Sequence, residues 1–133
     1  KSNKIIIVDN FTTGYKKLLF EKIKFYKLDI RNTIKLRNIV QSEKIDTIIH
    51  LAAKLSLQEA QKKPKQYKNV NIGGTKSLLD AIKNTSVKKL IFSSTAAVYS
   101  GNKNISCSET LKPKPINLYG QTKFRGENLI KKF

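Results

Sequence analysis

Tyr119 and Lys123 stand four residues apart, the spacing that brings two side chains to one face of a helix. A lysine ammonium beside a phenol favours the phenolate and lowers its pKa from about 10. Such a tyrosine can exchange a proton with an alcohol near neutral pH. The same pair also describes a packed tyrosine next to a solvated lysine. Asp9 ends an apolar run, Lys4-Ile5-Ile6-Ile7-Val8. An acid at a strand's end can accept both ribose hydroxyls of an adenosine and repel a 2′-phosphate, a geometry that selects NAD. An Asp that caps a turn looks the same in sequence.

Either chemistry needs regular elements to hold these residues. Residues 4–8 read as a buried strand, being β-branched and too short for a helix. Residues 24–28, 45–51 and 89–93 give three more strands. Helical patterns cover 31–41, 64–84 and about 117–132, and 16–22 reads as a helical turn or loop. Gly73-Gly74 falls inside the longest helix and costs roughly 1 kcal/mol per Gly relative to Ala, so close backbone packing is expected there. A polar loop with Pro113 and Pro115 spans 100–116 and leads into the tyrosine helix.

Strands that alternate with helices and are apolar on both faces predict an α/β fold with a parallel sheet. Ligands of such sheets bind at the carboxyl ends of strands. Asp9-Asn10, Asp29-Ile30, Ala52-Ala53 and Ser93-Ser94-Thr95 stand at those ends, so small and polar residues are expected to line one crevice.

The chain of 133 residues has 27 Lys plus Arg against 9 Asp plus Glu, a net charge of +18. Only Arg31, Arg37 and Arg125 are arginines, and the lysines are scattered. Base readout leans on Arg, so specific nucleic-acid binding is not expected, although weak adhesion to polyanions at low salt is. An anionic substrate or cofactor also suits the charge. No apolar run approaches the ~18 residues of a spanning helix, so no membrane partner is expected. One cysteine, Cys107, excludes an internal disulfide framework and fits a reducing, cytoplasmic compartment. With one His and one Cys no metal site is expected; His50 reads as structural and Cys107 as an incidental thiol.

Six segments, in order, carry a resemblance: Val8-Asp9-Asn10-Phe11-Thr12-Thr13-Gly14; Asp29-Ile30-Arg31; residues 45–53; Asn69-Val70-Asn71-Ile72-Gly73-Gly74-Thr75; Phe92-Ser93-Ser94-Thr95-Ala96-Ala97-Val98-Tyr99; and Tyr119-Gly120-Gln121-Thr122-Lys123 with Glu127. Together they resemble the extended short-chain dehydrogenase/reductase family, in its NAD-dependent epimerase/dehydratase branch. The resemblance implies a Rossmann-like doubly wound parallel sheet and NAD as cofactor. Asp9 and Asn10 would hold the adenosine ribose, with Asp29 and Ile30 flanking the adenine. Leu51, Ala52, Ala53 and Lys54 would lie along the cofactor's phosphate and ribose path, with Ser93 beside them and Asn71 bracing the pocket. Tyr119 would be the base, Lys123 would acidify it and hold the nicotinamide ribose, and Thr95 would hydrogen-bond the sugar's reacting oxygen.

The implied reaction is epimerisation of a nucleotide sugar, UDP-glucose or UDP-galactose, at C4 through a 4-keto intermediate. Family members that eliminate water place Asp-Glu after the Thr; Ala96 and Ala97 stand there instead, which favours epimerisation. Ser100 replaces the usual Gly after Val-Tyr, a small departure. Other sugar-nucleotide epimerases, reductases and decarboxylases share these motifs. A basic module that binds nucleic acid or polyanions without catalysis is the alternative from another class.

The family's glycine-rich phosphate loop between a strand and a helix is absent from these residues. The expectation is therefore an internal piece of a Rossmann-like domain that lacks its first strand, that loop and a C-terminal substrate domain. In the strand order 3-2-1-4-5-6 the first strand is central, so its absence leaves open edges mid-sheet. The chain alone is then expected to bind NAD poorly and to be inactive, with a homodimer possible for a full-length parent.

Overall fold

The computed structural model describes residues 4–18, 22–101 and 108–133. Cys107 and residues 19–21 of the segment 16–22 lie outside the described residues; Lys16–Leu18 forms a single 3₁₀ turn.

Among the described residues four short strands form within the runs that predict them. β1 (Ile6–Asp9) pairs in parallel with β2 (Lys24–Lys27), Ile7 opposite Phe25. β3 (Thr47–His50) pairs in parallel with β4 (Lys89–Phe92), Ile49 opposite Ile91. Among the described residues these remain two separate two-stranded sheets. The expected break between the first two strands and the last two is therefore present.

α1 (Thr33–Ser42) starts where the Asn32 side chain accepts from the Lys35 N–H and ends before Lys44, whose φ of 53° is the left-handed turn that closes many helices. The run expected over 64–84 is continuous but not uniform. It begins at Pro64, whose missing N–H costs nothing in a first turn, as α3 (Pro64–Tyr67). It loosens into a π-helical stretch over Lys68–Gly73 and tightens into α4 (Gly74–Ile82). The structure ends it at Ile82, and Asn84 takes the left-handed conformation beyond. α2 (Leu57–Lys62) is an element that the sequence reading did not assign. Its signal was present: Ser56 and Glu59 have capping-box spacing, and the Ser56 hydroxyl accepts from the Glu59 N–H. α5 (Leu118–Lys131) follows the polar loop.

The core lies between α1 and α4. Leu36 and Val40 of α1 meet Leu78, Leu79, Ala81 and Ile82 of α4, and Val8, Leu28, Ile48 and Leu90 pack against them. Both half-sheets therefore rest on one helical layer. Gly74 accounts for its own cost: a Cβ there would lie 3.4 Å from the Ile30 Cγ2, so α4 runs close against the segment after β2. On the opposite sheet face Ile49 and Ile91 stay 61% and 54% exposed. Glu43 ties the layers together by accepting from Lys4, Lys24 and Tyr26.

Candidate functional site

The carboxyl ends of β1 and β2 form one cluster. Asp9 Oδ1 accepts from the Phe11 N–H at 2.6 Å, and Asn10 Oδ1 accepts from the N–H and the hydroxyl of Thr12. These bonds hold Phe11 at a φ of 56°, an uncommon conformation for a bulky residue. Asp9 thus caps a turn with one oxygen, and Gly14 lies close against its carboxylate, where a Cβ would stand 3.3 Å from Oδ2. Asn10 Nδ2 donates to Asp29 Oδ2 at 3.3 Å. Arg31 grips Asp29 with two side-chain bonds of 2.8 and 2.7 Å and holds its carboxyl far below the usual carboxylate range. A hollow beside Asp29 is lined also by Arg31, Thr33 and Asn69. Arg31 and Asn69 were not singled out for this role; an Arg two residues after a strand-end Asp was the signal for the first.

The ends of β3 and β4 form a second cluster with the long helical run and α5. Leu51, Ala52 and Ser93 are exposed, while Ala53 and Lys54 are half-buried. The Lys54 N–H donates to Asn71 Oδ1 at 2.8 Å, and Asn71 Nδ2 donates back to the Lys54 carbonyl at 3.1 Å. Asn71 is 4% exposed and sits in the π-helical stretch, a feature common at functional sites. The Lys54 ammonium pairs with Glu59 at 3.0 Å.

The Asn117 side chain caps α5 by accepting from the Gly120 N–H at 2.7 Å, which puts Tyr119 in the helix's first turn. The positive end of the helix dipole favours negative charge there. Gly120 lets α5 approach the loop after β4: a Cβ on it would stand 2.6 Å from the Ala97 carbonyl oxygen. That loop includes Thr95, whose hydroxyl oxygen accepts from the Ala97 N–H at 3.2 Å. The Lys114 N–H donates to the Val98 carbonyl and the Gly101 N–H to the Lys114 carbonyl, which folds the polar loop back to the helix start. Ser94 donates to Glu127 and fixes the other end of the same contact.

Tyr119 is half-buried and Lys123 is 3% exposed. The Lys123 ammonium lies 4.3 Å from the centroid of Phe92, a cation–π contact. Burial lowers the pKa of Lys123 and Glu127 opposes that shift. Burial and then the Lys123 charge push His50 down to about 4, so its ring is neutral. Thr75 donates its hydroxyl proton to the Asn71 carbonyl at 2.7 Å, so His50 Nε2, 3.0 Å away, is the donor to Thr75. His50 is structural, as its sequence reading has it. Among the described residues no hydrogen bond joins the Tyr119 hydroxyl to Lys123 or Thr95. The structure places Tyr119 and Lys123 on one helix and brings that helix against the Thr95 loop. Asp9, Asn10, Asp29 and Ile30 gather at the other half-sheet.

This donor set fits the two ends of a dinucleotide. A carboxylate with a neighbouring amide suits a ribose diol, and a buried ammonium beside a helix-terminal tyrosine suits a redox-active alcohol. The turn that would take the pyrophosphate is not among these 133 residues. No group of His, Cys, Asp and Glu among the described residues is arranged to hold a metal ion. No described helix is long and apolar enough to cross a membrane.

Comparison with known proteins follows the same lines. The UDP-glucose 4-epimerase of Lactobacillus helveticus is 38% identical over 130 residues, which is 98% of this chain and 39% of that protein. A UDP-glucose 4-epimerase from Brucella ovis, solved in complex with NAD, superposes with a TM-score of 0.90 at 31% identity, over 96% of this chain and 39% of its own. The UDP-Glc/GlcNAc 4-epimerase of Campylobacter jejuni gives 0.89 at 31% identity, over 97% and 41%. The fold is thus a part of a Rossmann-like α/β domain. The family model named NAD dependent epimerase/dehydratase family matches residues 1–133, and the chain belongs to that family.

Proposed function

We propose that this chain is a part of an NAD-dependent nucleotide-sugar epimerase that inverts C4 of UDP-glucose and UDP-galactose, and that it carries the reacting tyrosine together with contacts to the cofactor's adenosine. The observation that carries the reading is Tyr119 in the first turn of α5, with Lys123 one turn along and Gly120 pressing that turn against the Thr95 loop. In this reading Tyr119 takes the proton of the sugar's C4 hydroxyl and returns it. Thr95 donates its hydroxyl proton to the same oxygen and orients it. Lys123 keeps a positive charge below the tyrosine and holds the nicotinamide ribose. Asp9 and Asn10 bind the adenosine ribose, and Asp29 with Ile30 borders the adenine. Leu51, Ala52, Ala53, Lys54 and Ser93 form the floor between these ends, and Asn71 braces it. NAD, when bound, supplies the acceptor that takes hydrogen from C4 and gives it back to the other face. Ala96 and Ala97 offer no acid or base for removal of water, which favours epimerisation over dehydration. A reducing, cytoplasmic setting agrees with this chemistry.

The test is Tyr119→Phe in the complete protein. Interconversion of UDP-galactose and UDP-glucose should fall at least ~100-fold, in the range that a general acid–base contributes, with NAD still bound. Unchanged turnover would remove the assignment.

A further inference from the structure

A buried polar chain runs from the loop after β3 to the helix that carries Tyr119. The Asn71 amide lies at its centre. Oδ1 accepts from the Lys54 N–H at 2.8 Å, and the two Nδ2 hydrogens go to the Lys54 carbonyl at 3.1 Å and to Thr122 Oγ1 at 3.0 Å. Thr122 Oγ1 in turn donates to the Tyr119 carbonyl at 2.8 Å. Asn71 and Thr122 are 4% and 1% exposed, so neither bond competes with bulk water. Three residues of this network, Lys54, Asn71 and Tyr119, carry roles in the function proposed above, whereas Thr122 has none there.

We infer that Thr122 is a positioning residue: its hydroxyl joins the Asn71 amide to the first turn of α5 and so fixes Tyr119 relative to the main chain of Lys54. The inference rests on the epimerase reading. The chemistry of the link is specific. Only a hydroxyl can accept from the amide and donate to the carbonyl at once. The link is also rigid, because every hydrogen-bonding hydrogen of the Asn71 side chain is used. Valine at 122 keeps the shape and removes both bonds. It leaves one Nδ2 hydrogen buried and unpaired, which the structure relieves by turning the amide and loosening its hold on Lys54.

The experiment uses the complete protein with Thr122→Val and Thr122→Ser. For Thr122→Val, kcat for UDP-galactose should fall about tenfold or more, as expected when a reacting group is displaced by a fraction of an ångström. KM should change less than about threefold, because no substrate contact is lost. Amide exchange at Lys54 should speed up about tenfold or more, since its acceptor is no longer held. Thr122→Ser keeps the hydroxyl and should restore kcat and exchange protection to within about twofold of the wild type. A lower melting temperature with unchanged kcat, or a kcat loss without faster exchange at Lys54, overturns the inference. Failure of Thr122→Ser to recover either quantity overturns it as well. A wild-type protein without epimerase activity overturns the functional reading and this inference with it, an outcome distinct from an active wild type that ignores Thr122→Val.

Discussion

Gly120 offers the sharpest test of how α5 meets the reaction site, because two effects predict opposite signs. Gly120 has no positive φ, so helix propensity alone makes Gly120→Ala stabilising by about 1 kcal/mol. Packing says otherwise. The new Cβ would lie 2.6 Å from the Ala97 carbonyl oxygen, 3.0 Å from the Ala97 carbonyl carbon and 3.2 Å from the Pro115 Cβ. The first two are main-chain atoms, which cannot swing aside as a flexible side chain does. A carbon and an oxygen settle roughly 3.5 Å apart, so helix and loop must separate by close to 1 Å. Overpacking of this kind costs about 1–3 kcal/mol, which leaves a net destabilisation of about 0–2 kcal/mol. Function should suffer more than stability. A misplacement of about 1 Å at a reacting group can cost ~100-fold in rate, and Tyr119 is the adjacent residue. The assay is chemical denaturation of the complete Gly120→Ala protein alongside its kcat for UDP-galactose. A variant that is more stable than the wild type and turns over normally would show that α5 does not press on the Thr95 loop.

Two further outcomes follow from charges and contacts already described. Stability should drop as pH falls from 6.5 to about 4, because unfolded His50 takes a proton near 6.5 whereas the folded ring resists until about 4; the gap corresponds to about 3 kcal/mol. Glu43, held down to about 2 by Lys24, Lys4 and Tyr26, extends the loss in the same direction from 4.5 toward 2; a denaturation midpoint level from pH 7 to 4 would contradict the first effect, and one level from pH 4 to 2 the second. The 133-residue chain by itself should gain no melting temperature from millimolar NAD, since its sequence holds no Gly-x-x-Gly-x-x-Gly motif for a pyrophosphate turn and stabilisation scales with ligand over Kd; a clear shift in differential scanning fluorimetry would refute that.

The strands were legible because each is a short apolar-centred run, β-branched in β1 and β3 and aromatic in β2, that no helix period explains, and the parallel pairing followed from their alternation with helices. The tyrosine helix was legible from its spacing, and its cap at Asn117 is an ordinary local signal. Three things were not. The π-helical stretch over Lys68–Gly73 has no sequence period of its own, and Asn71, which bonds the Lys54 main chain, lies within it. The bond between Asn71 and Thr122 joins residues 51 apart in sequence, and no local rule links them. The position of the Lys123 ammonium over Phe92 depends on Gly126 as well, where a Cβ would stand 2.9 Å from the ring. Residue types announced the chemistry, while distances between them required the fold.

Among the described residues the two clusters sit on half-sheets that share no strand pairing, so within these residues something other than sheet hydrogen bonds must keep them in register. The long helical run does this. At Gly74 it lies against Ile30, which fixes it to the cluster of Asp9 and Asp29. Three residues earlier Asn71 binds the Lys54 main chain and Thr122, which fixes it to the cluster of Tyr119 and Lys123. Below both, Leu78, Leu79 and Ile82 bury against Leu36 and Val40 of α1. Each such side chain contributes about 1.5–3 kcal/mol when fully buried, against about 1 kcal/mol net for a typical hydrogen bond. Burial therefore supplies the strength of the coupling, and the few polar contacts supply its direction. A substitution that loosens α4 from α1 should consequently disturb both clusters together, whereas one at Thr122 should disturb the surroundings of Tyr119 and leave the contacts around Asp9 and Asp29 as they are.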